Sequence, residues 1–126
     1  MTRRHSRATI LIVDDDPDIR ELERAALTHA GHKVVMASNG REALGTLERI
    51  RPCLILLDLM MPVMDGLTFL VEMRRIGVGA NVPVLCVSAA GDGVLARALQ
   101  LGARECLHKP ADVEELCSRV LRYCGE

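Results

Sequence analysis

The sequence predicts an α/β protein, a (βα)₅ doubly wound fold with a five-stranded parallel sheet covered by helices. Two observations predict it. Short runs rich in branched aliphatics recur five times, and each is followed by a stretch with helical spacing. The runs are continuously apolar rather than alternating, the pattern of strands buried on both faces.

The runs are Thr9–Val13, Lys33–Ala37, Cys53–Leu57, Pro83–Val87 and a weaker Arg104–His108. Pro17 suits the first turn of the first helix and Gly31 its stop, with Ile19, Leu22, Ala26 and Ala30 expected inward. Ser38 or Asn39 can cap the second helix, which turns Ala43, Leu44 and Leu47 to the sheet and ends before Pro52. Asp65 opens a third that runs to Ile76, where Gly77 and Gly79 end it. Asp92 starts a fourth, with Leu95, Ala98 and Leu99 inward and Gly102 closing. The fifth has the plainest stripe, Val113, Leu116, Cys117, Val120 and Leu121.

A chain of 126 residues, 49% hydrophobic and 26% charged, suits one globular domain and fits neither a disordered chain nor a membrane protein. The 16 Lys and Arg nearly balance 17 Asp and Glu, so no basic footprint for nucleic acid exists and no direct nucleic acid contact is expected. Residues 1–8 read as a flexible basic tail and 9–124 as the folded domain. No apolar stretch spans a bilayer, so no membrane insertion is expected. The five cysteines lack C-x-x-C spacing or a His partner, which disfavours zinc, and they read as reduced small hydrophobes in keeping with a cytoplasmic location. His5, His29, His32 and His108 show no mutual spacing and read as surface or satisfied residues.

In a doubly wound sheet the binding crevice lies outside the carboxyl ends of the strands. Asp14, Asp15 and Asp16 follow the first strand, Asp58 the third, Ser88 the fourth and Lys109 the fifth. Carboxylates about 5 Å apart repel by about 3 kcal/mol per pair at an effective dielectric of about 20, which calls for a cation. Oxygen ligands without His or Cys point to Mg²⁺ or Mn²⁺, and such an ion keeps waters that phosphate oxygens can replace. The crevice therefore suits phosphoryl chemistry, with a carboxylate as nucleophile. The bland readings are that Asp14 to Asp16 cap a helix, Lys109 is a solvated loop charge, Ser88 is a turn residue and Gly66 serves close packing. Asp58, directly after Leu54–Leu57, has no capping role and favours function.

ILIVDDDPDIRE, LILLDLMMPVMDG, VLCVSAA and HKP, in this order and at strand ends, resemble the motifs of response regulator receiver domains over about Ala8 to Tyr123. The resemblance implies a flavodoxin-like strand order 2-1-3-4-5 and a role in a two-component phosphorelay. Carried over residue by residue, it implies Asp58 as phosphoacceptor, Asp15 as a direct metal ligand, Asp14 as an acidic partner acting largely through metal-bound water, and the backbone carbonyl of Met60 as a further ligand. Ser88 and Lys109 would each meet a phosphoryl oxygen. Asp16, where the family often has Glu, would be solvated, and the Lys109–Pro110 bond would be cis. The implied partners are a histidine kinase or histidine phosphotransfer protein upstream and a protein target downstream. Two departures stand out: Cys106 occupies the place of a common Tyr or Phe, and Ala111 that of a common Phe.

Two other readings compete. A pseudo-receiver would bind partners without phosphorylation, which retention of all the site positions disfavours. An Asp-nucleophile phosphatase or mutase would commonly carry a second Asp two residues on, where Met60 stands, so turnover of an external substrate is not expected. The chain reads either as a single-domain regulator or as a receiver from a larger protein.

Overall fold

The computed structural model describes residues 9–125, so the basic segment 1–8 lies outside the described residues. Five strands, β1 (Thr9–Val13), β2 (Lys33–Ala37), β3 (Leu54–Leu57), β4 (Val84–Ser88) and β5 (Glu105–His108), form one parallel sheet in the order β2-β1-β3-β4-β5. Pairing runs Thr9↔Lys33 to Val13↔Ala37, Ile10↔Leu54 to Val13↔Leu57, Ile55↔Val84 and Ser88↔His108, so the carboxyl ends of all the strands finish at one rim. The helices are α1 (Pro17–His29), α2 (Gly40–Leu47), α3 (Gly66–Ile76), α4 (Asp92–Gln100) and α5 (Val113–Cys124).

Strand side chains alternate between two cores. Leu11, Val13, Ile55, Leu57, Val84 and Cys86 pack with α2, α3 and α4 through Ala43, Leu44, Leu47, Phe69, Leu70, Leu95 and Ala98. Ile10, Ile12, Leu54, Leu56, Leu85 and Val87 pack with Leu27 of α1 and Leu116 and Val120 of α5. Double coverage explains why β1, β3 and β4 carry uninterrupted apolar runs, whereas the edge strand β2 exposes Lys33 and Met36.

Four helices begin on a side-chain cap. Asp16 accepts from the amides of Asp18 and Ile19, Asn39 from Glu42, Asp65 from Thr68 and Asp112 from Glu114. Of the two candidates for α2, Asn39 is the cap. The start of α4, Gly91, offers no side chain and makes no such bond. Gly77 ends α3 at φ +88, a left-handed turn that a side chain would resist.

Three sequence expectations need correction. In α1 the buried stripe carries Glu23 and Leu27, while Leu22 is 55% exposed and Ala30 is exposed as well. The expectation passed over Glu23 because it is charged, although it falls one turn from both Ile19 and Leu27. In α4 and α5 the stripes are narrower than expected, with Leu99, Val113 and Leu121 outside the core. The cysteines are not all reduced: Cys53, just before β3, is disulfide-bonded to Cys124 at the end of α5, with Cα atoms 5.5 Å apart. The two lie 71 positions apart in the sequence, so only the return of α5 across the sheet brings them together, and no local spacing could reveal it. Cys86, Cys106 and Cys117 are free. Among the described residues no helix is long and apolar enough to cross a membrane.

Candidate functional site

The rim gathers residues from four strand ends. Asp14 and Asp58 follow β1 and β3 and are both buried, at 2% and 6% exposure, whereas Asp15 is exposed. Parallel pairing holds the two buried carboxylates in place, because the Asp14 amide donates to the carbonyl of Ala37 and the Asp58 amide to that of Val13. One ligand oxygen from each of Asp14, Asp15 and Asp58 can be chosen so that all three lie within 4.8 Å of one another. An all-oxygen set of this kind fits a hard divalent cation.

Lys109, after β5, sends its Nζ to Asp14 Oδ2 at 2.7 Å and to Asp58 Oδ2 at 3.3 Å. Burial works against the charge on this ammonium, but the two carboxylates raise its pKa above the ordinary value. For Asp14 the balance falls the other way: burial pushes its pKa up, and hydrogen bonds from Lys109 and the Asp16 amide offset only part of that. Asp58 Oδ1 accepts from the Met60 amide at 3.2 Å. Ser88 is fully buried at the end of β4, where its Oγ accepts from the Ala90 amide at 3.2 Å and its carbonyl accepts from the Lys109 amide at 3.0 Å. The Lys109–Pro110 bond is cis.

The backbone after Asp58 is pinned. Gly66 packs so closely that a Cβ there would sit 2.6 Å from Leu59 Cα and 2.7 Å from the Asp58 carbonyl oxygen, so only glycine admits α3 against the loop after Asp58. Val63 stands at φ 70, an unfavourable region for a β-branched residue, and is 72% exposed. Met60 extends its side chain into solvent, whereas Ala90 is buried.

Asp14, Asp15, Asp58 and Lys109 thus come together as the sequence implies, with Ser88 beside Lys109 through the backbone. Asp16 stands apart, committed to capping α1. Sequence reasoning missed Glu23 and Arg20. Arg20 donates from Nη1 to the Asp14 carbonyl at 2.8 Å. Glu23 is 7% exposed and lines an apolar groove of about 310 Å³ with Ile19, Leu22, Ala26 and Lys109; burial first, then Asp14, pushes its pKa up to about 7. A charged residue interrupting the inward stripe of α1 was the available signal.

Among known proteins, the response regulator receiver domain matches residues 10–121, and the chain belongs to that family. It is 40% identical over 116 residues to an uncharacterized 14.6 kDa protein of Leptolyngbya boryana, covering 91% of this chain and 88% of that one. It is 40% identical to the DNA-binding dual master transcriptional regulator RpaA of Synechocystis and 41% identical to the response regulator MprA of Mycolicibacterium vanbaalenii. In each of these two cases the match covers 88% of this chain and about half of the relative, 46% and 48%. Among solved structures, chemotaxis protein CheY4 of Vibrio cholerae aligns with a TM-score of 0.84 at 32% identity, over 92% of this chain and 98% of that one. The receiver domain of sensor histidine kinase PA1611 from Pseudomonas aeruginosa has the same TM-score and identity, over 94% and 98%, and that structure has a magnesium ion coordinated in its active site cleft.

Proposed function

We propose that this receiver accepts a phosphoryl group on Asp58 from a phosphohistidine of a histidine kinase or histidine phosphotransfer protein, and that the change alters binding of a downstream protein target. The observation that carries the reading is the convergence of Asp14, Asp15 and Asp58 oxygens within 4.8 Å beside the Lys109 ammonium. In the transfer, an Asp58 carboxylate oxygen attacks phosphorus, the P–N bond breaks, and its electron pair returns to the donor imidazole, which takes up a proton. Asp14, Asp15, Asp58 and the backbone carbonyl of Met60 would hold Mg²⁺ or Mn²⁺, which would offset charge on the transferring oxygens. Lys109 stabilises one phosphoryl oxygen and Ser88 donates its hydroxyl to another.

Release of the phosphoryl group needs a water in line with the acyl phosphate. Met60 and Ala90 stand two residues beyond Asp58 and Ser88, the positions that influence this water in receivers, and neither has a polar side chain to orient it, so self-dephosphorylation is slow. The residues act on the protein's own phosphoryl group, with no turnover of an external substrate. A formal net charge of −1 supports no direct nucleic acid contact by this domain, and the reading puts its work in the cytoplasm.

Incubation with acetyl phosphate or phosphoramidate, with and without Mg²⁺, tests this by intact mass. A gain of one phosphoryl group that requires Mg²⁺ and disappears in Asp58→Asn is expected. An unchanged mass would favour a phosphorylation-independent pseudo-receiver, and an Asn variant that gains phosphoryl on the same timescale would remove Asp58 from its role.

A further inference from the structure

The amino end of the sheet holds a covalent feature that phosphoryl chemistry does not use. Cys53 stands at the entry to β3 and Cys124 closes α5, and their sulfurs are bonded to each other. Both residues are only partly buried, against the core formed by Ile10, Leu54 and Val120. Small thiols can therefore reach them, unlike the buried Cys86.

The link joins elements that differ in how firmly they are held. Leu54–Leu57 is buried throughout and paired on both sides, and the Cys53 amide donates to the Thr9 carbonyl at 2.8 Å. The end of α5 is held far less. Its cap, Gly125, is extended (φ −68, ψ 150), where α3 closes with the Gly77 amide donating to Met73. Over its last two turns α5 buries Val120 fully and Tyr123 in part, and Tyr123 and Arg119 bond Glu105 of β5. Breaking the bond would leave Cys53 Sγ 3.2 Å from the Thr9 carbonyl, a ready acceptor for the new S–H. Both oxidation states are thus compatible with the same β3 backbone, and the difference falls on α5.

We propose that Cys53 and Cys124 are a reversible thiol–disulfide modification site, oxidised by low-molecular-weight disulfides of the glutathione class, and that the bond latches the end of α5 to the sheet. In the forward direction one cysteine thiolate attacks the small disulfide R–S–S–R, forming a mixed disulfide and expelling one R–S⁻. The second cysteine thiolate attacks the protein sulfur of that mixed disulfide and expels the other R–S⁻. The two cysteines lose two electrons and two protons, and R–S–S–R becomes two R–SH. An excess of R–SH reverses both steps. Cys53 is five residues before Asp58, about 16 Å along an extended strand, so the latch changes α5 without touching the acceptor carboxylate.

The test equilibrates the full chain in reduced and oxidised glutathione at a series of ratios, quenches with acid, and alkylates under denaturing conditions for intact mass and peptide mapping. Alkylated cysteines should fall from five to three across the series, with Cys53 and Cys124 peptides linked and the change reversed by excess reduced glutathione. Cys53→Ser and Cys124→Ala should each abolish the linked species, and Cys117→Ser should leave it intact. In the oxidised protein, amides 120–124 should exchange about tenfold more slowly than in the reduced protein, with amides 54–57 unchanged. Absence of the 53–124 link at every ratio, or a link that persists at every ratio, overturns the modification site. Equal exchange of 120–124 in both forms overturns the latch.

Discussion

The two ends of the sheet are built on opposite principles. At the carboxyl end, Asp14, Asp15 and Asp58 crowd together, a buried Glu23 stands behind them, and Val63 occupies a backbone region that suits other residues. At the amino end the described residues hold a disulfide, and the left-handed non-glycine position there is Asn81, which tolerates it. Repulsion and strain collect where chemistry is proposed, and constraint collects at the far end. A fold can hold mutually repelling groups in place when its framework is secured elsewhere.

Removing the constraint at the amino end should have the largest effect. Closing a loop of 71 residues is worth about 4 kcal/mol in the chain-entropy account. Reduced protein, or Cys124→Ala, should therefore melt more than about 10 °C below the oxidised form by calorimetry. Equal melting temperatures would show that the amino end does not carry the load assigned to it.

Relieving the carboxyl end should do the reverse. Glu23 has its folded pKa raised from 4.5 to about 7, so between those values the folded state binds the extra proton and stability falls as pH rises. The penalty is complete above pH 7, at about 3 kcal/mol by the same linkage. Glu23→Gln should raise the urea midpoint clearly at pH 8 and barely at pH 4. A pH-independent gain would place the cost in packing rather than charge.

Asp15→Ala probes the repulsion directly, because it deletes the exposed member of the carboxylate trio. Calorimetric titration should show Mg²⁺ affinity weakened at least about tenfold, roughly 1.4 kcal/mol, if the trio holds the ion. Val63→Asn should stabilise the protein by about 1 kcal/mol in chemical denaturation, since Asn accepts a positive φ more readily. The smallest signal concerns transmission. Cys106 stands where receivers commonly carry Tyr or Phe; its Sγ lies 3.6 Å from the Leu95 carbonyl in α4, and a thiol fills far less space than an aromatic ring that could turn between buried and exposed positions. Amide shifts on adding beryllofluoride and Mg²⁺ should accordingly be larger in residues 88–95 than in Arg104–His108 or Val113–Leu121. The opposite pattern would show that the change at the rim travels through β5 and α5 in spite of the small Cys106.

Element order and the polar groups at the rim were legible because strand ends and apolar periodicity are local signals, whereas the sheet order was implied only by the resemblance to receivers. Asp58 was legible for a particular reason: a carboxylate directly after four buried aliphatics has no structural use. Glu23 was not, because a stripe read by hydropathy discards the one charged residue that burial retains. Leu22, Leu99 and Leu121 were misplaced inward for the converse reason, since leaving an apolar side chain beside a stripe in solvent costs little. The Cys53–Cys124 bond depends on which helix end returns to which strand start, a long-range fact that no window of residues contains.

The uncapped start of α4 has a statistical consequence. A side-chain cap is worth about 1 kcal/mol, so opening the first turn of α1, α2, α3 or α5 forfeits a bond that α4 never had. At room temperature that difference weights spontaneous openings by roughly a factor of five in favour of α4. Among the helix starts, spontaneous opening is therefore most frequent at that of α4, a few residues beyond Ser88. An event at the rim can select from excursions already under way there instead of forcing one on a capped helix.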